Sequence, residues 1–178
     1  ATGKAYLWQK HFKDIKVSNI ESLFKNLDAI VELIPEKERW NVHYTCANCH
    51  EPTEDKSVPM RLFAYQEMIP IDLDGIDLKR RGEYIDITLK TLKVEGKKTG
   101  IFCSGNGLHF VVALTQPIES GEELHKLQKY YKALCVQLNI EFFNNGLPGN
   151  ADPIRLAEAA TLRLPNTMNR KEGKDDVL

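Results

Sequence analysis

The sequence has no excess of charge in either direction: Lys and Arg number 24, Asp and Glu 25, for a net of -1 at neutral pH. A surface built for bulk attraction to a polyanion is thereby excluded, so any such partner has to be met by local groups. Long apolar runs are also missing, and a stretch such as Phe110 to Leu114 is far too short to cross a bilayer. No charged segment followed by an apolar one opens the chain, which argues against a secretory leader. A cytoplasmic protein with no membrane partner is the expectation. Cysteine is sparse, with 4 residues, Cys46, Cys49, Cys103 and Cys135, not densely spaced, and reduced thiols are expected. Neither an internal repeat nor a low-complexity linker is present.

What remains is ordinary globular material: 178 residues, 42% hydrophobic and 28% charged, enough for one domain or two small modules sharing a site. Near the N-terminus, Ser18 and Glu21 form a capping box. Apolar residues from Ile20 to Ile34 then recur at helical spacing until Pro35, which predicts one amphipathic helix. Trp40 to Cys46 reads as a strand and Asn48 to Val58 as a loop.

From Ile69 onward, Ile69, Ile71 and Leu73 alternate with Asp72 and Asp74, putting both carboxylates on one face of a strand whose other face is buried. A helix over about Glu83 to Lys93, ended by Gly96, follows. Thr99 to Ser104 and Leu108 to Leu114 read as strands joined around Asn106-Gly107, a turn signal that calls for positive φ. Ser120 and Glu123 cap a second helix, Gly146 to Gly149 form a turn, and Thr161 to Leu164 read as the last strand. The order β-α-β-β-α-β predicts an α+β fold with an RNA-recognition-like, ferredoxin-like palm over 69–171, preceded by a small α/β module over 4–68. The two together form one core.

Three elements carry chemistry. Asp72 and Asp74, two residues apart on one strand face, repel each other, and a divalent cation such as Mg²⁺ or Mn²⁺ between hard carboxylate oxygens offsets that; a solvated acidic strand end is the bland alternative. Ser104-Gly105-Asn106-Gly107-Leu108-His109 puts a hydroxyl, mobile backbone N–H groups and an imidazole around a hairpin tip, suited to phosphate oxygens or merely to a tight turn. Asp152-Pro-Ile-Arg155 and then Arg163, Asn169 and Lys171 supply a further carboxylate and spaced polar and cationic groups, or a solvated basic tail.

Taken jointly and in this order, the three elements resemble the archaeo-eukaryotic primase superfamily, in particular the primase-polymerases of phages, plasmids and mobile elements. That family carries a DxD motif, a serine-x-histidine motif often written SGxGxH, and an acidic third motif, followed here by LR-L-P-x-T-x-N-x-K. The resemblance spans about residues 40–171. It implies a DNA primase/polymerase core, acting in DNA replication, that joins nucleoside triphosphates on a single-stranded DNA template and primer. Asp72, Asp74 and Asp152 would be the catalytic carboxylates holding two Mg²⁺ or Mn²⁺ ions. Ser104, Gly105, Asn106 and His109 would contact the triphosphate, with Arg163, Asn169 and Lys171 as further nucleotide contacts. A helicase or accessory priming domain is expected in the full-length protein. Lys79-Arg80-Arg81 and Lys97-Lys98 are the candidate template contacts.

The competing readings are a palm-like nucleotidyl cyclase or metal nuclease, which also uses paired aspartates but has no need of the SGNGLH element, and a non-catalytic nucleic-acid-binding module. The latter calls for aromatic residues at the central strand positions, where Asp72, Asp74 and His109 stand instead. His43, Cys46, Cys49 and His50 have the residue types of a zinc site, but no second Cys-x-x-Cys pair closes it.

Overall fold

The structure is a computed structural model, and it describes residues 5–8, 15–17, 20–36, 39, 42–49, 63–94, 99–154, 156, 161–165 and 167. The elements are β1 (Ala5–Trp8), β2 (Ile15–Val17), α1 (Ile20–Lys25), α2 (Leu27–Glu32), β3 (His43–Thr45), β4 (Asn48–Cys49) and β5 (Phe63–Asp74). They continue with α3 (Arg81–Leu92), β6 (Thr99–Cys103), β7 (Gly107–Ile118), α4 (Gly121–Asn144), β8 (Asn150–Ala151) and β9 (Thr161–Arg163). The fold is α+β with two antiparallel sheets. One has the order β2-β1-β3-β9; the other runs β4-β5-β7-β6, with β8 also paired to β5.

The alternation along β5 sets the layers, because successive side chains of a strand face opposite ways. Ile69, Ile71 and Leu73 join Leu108 and Phe110 of β7 on one face, under Tyr84 of α3 and Leu138 and Phe142 of α4. Met68 and Val111 lie on the opposite face and join Tyr44 and Leu162 of the first sheet with Leu23, Ile30 and Ile34. Phe24 of α1 ties the two sheets on this side, stacking on Phe102 and meeting Tyr44 edge-on, each at 5.4 Å between ring centroids. Tyr44 is fully buried and contributes on the order of 2–3 kcal/mol, while Phe24 and Phe102 are half-buried.

The β-α-β-β-α order is present, and β5 and β7, the first and third strands of that unit, are neighbours. The fourth strand differs from the expectation. Thr161–Arg163 pairs with His43–Thr45 in the first sheet, and the place beside β5 is taken by the two-residue β8, antiparallel to it. A two-residue strand carries no periodicity to read, whereas Thr161 to Leu164 looks like a strand wherever it pairs. β5 itself is one uninterrupted strand of 12 residues that crosses the 68/69 division.

The helix expected over 20–34 is two short helices broken at Asn26, whose φ of -119° leaves the helical range and which caps α2. Asparagine is a weak helix former, and the break falls on it although its side chain makes no capping hydrogen bond. The helix expected over about Glu83 to Lys93 spans Arg81–Leu92, and its stop is Lys93, in the left-handed region at φ 56°, in place of Gly96. Asn48 and Cys49, read as the start of a loop, form β4 against β5. Ser18 and Gly96 lie outside the described residues. The capping box of α4 is present, Ser120 Oγ accepting from the Glu123 N–H at 3.1 Å.

Thr88 of α3 is fully buried, and its hydroxyl has no hydrogen-bond partner among the described residues. An unmet buried hydroxyl costs on the order of 1–3 kcal/mol. Thr88→Val, which keeps the branched shape, is therefore expected to raise the unfolding free energy by about 1 kcal/mol in urea titrations. A fall instead would show that the hydroxyl is bonded.

Candidate active site

The register brings the expected residues into one line across the second sheet. Asp72 lies opposite His109 on β7, and His109 lies opposite Phe102 on β6. On the other side the Asp152 N–H donates to the Asp72 carbonyl at 2.9 Å, extending the Leu73↔Ala151 and Asp74↔Asn150 pairing by one step. Phe102, His109, Asp72 and Asp152 thus occupy successive places in a row perpendicular to the strands, and cross-strand partners share a face. Asp74, two residues on, points to the same side and is exposed, while Asp72 is only 3% exposed. His109 Nε2 stands 3.2 Å from Asp72 Oδ1, a buried pair.

The hairpin that carries His109 turns one step earlier than the Asn-Gly signal suggests. Ser104 N–H donates to the Gly107 carbonyl at 3.0 Å, so Gly105 and Asn106 are the central residues, with the positive φ, 89°, at Gly105. Glycine at the first central position is the mark of a II′ hairpin turn. Gly107 is needed for another reason: a Cβ there would lie 1.9 Å from the Leu73 carbonyl oxygen.

Ser104, His109 and Arg163 line a small cleft with Phe102, Cys103 and Thr167. Arg163, at the end of β9, donates to the Ser104 carbonyl and so joins the first sheet to the hairpin tip. Burial lowers its pKa, and the charges of Asp72 and Asp74 oppose that shift. Thr167 was not singled out by sequence reasoning; it is buried, and its hydroxyl donates to the Leu164 carbonyl at 2.6 Å, fixing the cleft wall. Asn169 and Lys171 lie outside the described residues, as do Arg155, Lys97, Lys98 and His50.

Asp152 is held from behind by α4. Tyr131 Oη donates to the Asp152 carbonyl at 3.0 Å, with Cys135 Sγ 3.6 Å from the same oxygen. Asn139 Oδ1 accepts from the Ala151 N–H at 2.7 Å and its Nδ2 donates to the Ala151 carbonyl at 3.5 Å. The Asp152 carboxylate accepts from the Ile154 N–H at 2.9 Å. Sequence reasoning did not single out Asn139, although 131, 135 and 139 form one i, i+4, i+8 stripe.

Burial pushes the Cys135 thiol up to about 11, the Tyr131 bond working against the rise and Asp152 with it. Burial also raises the Tyr131 phenol well above its usual value. Both groups fold in their neutral forms. The Cys135 contribution is complete below the ordinary thiol pKa and is lost as pH rises through about 11. A thiol reagent applied to the native protein at neutral pH is therefore expected to label exposed Cys103 and spare Cys135, which becomes reactive only at alkaline pH. Fast labelling of Cys135 at pH 7 would contradict this packing.

Among the described residues, no group of three or more His, Cys, Asp and Glu side chains is gathered closely enough to hold a metal ion by itself. That covers His43 and Cys46; Cys46 is a buried free thiol. Of the basic residues considered for template contact, Arg80 is committed elsewhere. It pairs with Glu83 at 2.7 Å and donates to the Gly146 and Asn145 carbonyls at the end of α4. Lys79 and Arg81 are exposed.

No protein-family model and no curated protein matches this sequence at a significant level. Among solved structures, the chain is similar to the polymerase domain of Mycobacterium tuberculosis Ligase D in complex with DNA, at a TM-score of 0.53 and 14% identity. The match covers 94% of this chain and 58% of that one. At that identity the likeness is one of fold: both sheets and the helical layer belong to an architecture that a polymerase domain also uses.

Proposed function

We propose that this chain is the catalytic core of a primase-polymerase, joining nucleoside triphosphates into a DNA-templated strand. The observation that carries the reading is the row of Asp72, flanked in register by His109 and Asp152, beside a cleft lined by Ser104 and Arg163. The polymerase-domain fold of the solved neighbour supports it.

Asp72, Asp74 and Asp152 are the residues that hold Mg²⁺ or Mn²⁺, two ions in the loaded complex. The donor set fits: all are hard carboxylates and they share a sheet face. Among the described residues these carboxylates are not gathered closely enough to hold an ion by themselves; an ion of this type takes one or two carboxylates and completes its shell with substrate phosphates. When bound, the metal neutralises triphosphate charge and makes the primer 3′-hydroxyl more acidic. The chain's own groups do the positioning. Arg163, held on the Ser104 carbonyl, and the Gly105-Asn106 turn with Ser104 bind triphosphate oxygens. His109, fixed by Asp72, adds a donor between the carboxylates and the phosphates. Lys79 and Arg81 are available to a template backbone.

The test is extension of a labelled primer on a single-stranded template with Mg²⁺, with Mn²⁺, and with chelator. Template-matched addition that needs the divalent ion supports the reading. If the folded protein neither extends primers nor binds nucleoside triphosphate in the presence of either ion, the reading fails.

A further inference from the structure

β8 is an edge strand of only two residues, Asn150 and Ala151, yet it delivers Asp152 to its place beside Asp72. So short a strand, paired on one side, does not hold a register on its own. Its outward-facing backbone groups are met by a side chain instead of a neighbouring strand. The Asn139 carboxamide accepts from the Ala151 N–H at 2.7 Å and donates to the Ala151 carbonyl at 3.5 Å, the two-bond pattern that a further strand would make. Two turns earlier on the same helical stripe, Tyr131 binds the carbonyl of Asp152 itself. Both anchor points are on a 24-residue helix whose inner face is packed into the main core.

We propose that Asn139, with Tyr131, is the positioning residue of the third carboxylate: it clamps β8 so that Asp152 stands in the metal-binding row. The inference rests on the proposed function of that site. Residues that orient a ligand from behind typically change metal affinity about 10- to 100-fold when removed. The carboxamide bonds backbone rather than packing in the core, so its loss should loosen β8 without loosening the fold.

The experiment measures Mn²⁺ binding by calorimetry or electron paramagnetic resonance, without turnover, together with amide hydrogen exchange at Ala151 and Asp152. Three variants are compared with the wild-type chain: Asn139→Leu removes both bonds, Asn139→Asp retains the acceptor, and Tyr131→Phe removes the hydroxyl while leaving the ring in the core. In Asn139→Leu, Mn²⁺ affinity is expected to fall about 10-fold or more. The Ala151 and Asp152 amides should lose protection while those of β7 keep theirs. Asn139→Asp should recover Ala151 protection and part of the affinity. Tyr131→Phe should weaken Mn²⁺ binding in the same direction, which keeps the proposal open to test if Asn139→Leu does not fold. If the wild type binds Mn²⁺ and the folded variants bind it equally well, the clamp is structural only and this inference fails alone. If the wild type binds no Mn²⁺, the metal-site reading fails and takes the inference with it.

Discussion

Asp72→Asn is expected to reduce primer extension on the order of 10³-fold, about 4 kcal/mol of transition-state stabilisation, while leaving a folded protein. The substitution is nearly isosteric, so the row of His109, residue 72 and Asp152 keeps its backbone register. What it removes is one negative charge at a position 3% exposed, where solvent screens little. Arg163 and His109 then face one carboxylate fewer, and the attraction that holds a divalent ion and its triphosphate in the cleft falls with it. Thermal unfolding is the control. Loss of a buried charge from a pair can destabilise, but here it also relieves the repulsion between Asp72 and Asp74, so the two effects oppose. A variant with wild-type extension would show that Asp72 is not in the catalytic machinery.

Gly107→Ala is expected to be the most damaging substitution for stability, by about 3 kcal/mol or more. The added methyl would lie 1.9 Å from the Leu73 carbonyl oxygen, 3.0 Å from its carbon and 3.1 Å from Ser104 Oγ. Two of these are backbone atoms of β5, which cannot step aside without breaking the Asp74↔Gly107 end of the ladder. The damage is therefore local to the site: the hairpin lifts, taking Ser104 and His109 away from the carboxylates. Gly105→Ala makes the comparison. There the obstacle is a φ of 89°, which costs on the order of 1–2 kcal/mol for a residue with a Cβ. Urea midpoints for the two variants should fall in that order, and a Gly107→Ala protein as stable as wild type would mean that the two strands sit further apart than described.

The contrast between these two glycines shows where sequence patterns stop. An Asn-Gly pair reports that a turn is near, because local chemistry favours it, but the need for glycine at 107 comes from a strand 34 positions away in the register, where Leu73 passes close by. The same division runs through the site. Asp72 and Asp74 were legible because a period of two puts both on one face, and Ser104 and His109 because the turn chemistry is local. The position of Asp152 was not, since nothing in Gly-Asn-Ala-Asp marks a two-residue strand, and its anchors on α4 are long-range hydrogen bonds without a composition signal. Thr161–Arg163 was legible as a strand but not as a member of the first sheet, because an edge strand's own residues say little about its partner.

β5 has a mechanical side as well. It contributes Met68 to one core and Ile69, Ile71 and Leu73 to the other, so rotating one sheet against the other would require bending a hydrogen-bonded strand in its middle. The natural place for such a bend is the irregularity between Gln66 and Met68, where the pairing with β7 shifts register. Gln66 closes that place off: its buried amide donates to the carbonyls of both Cys46 and Met68, fastening the kink to the segment that follows β3. The joint between the two halves is thereby stapled, so one sheet does not turn on the other without breaking these two bonds.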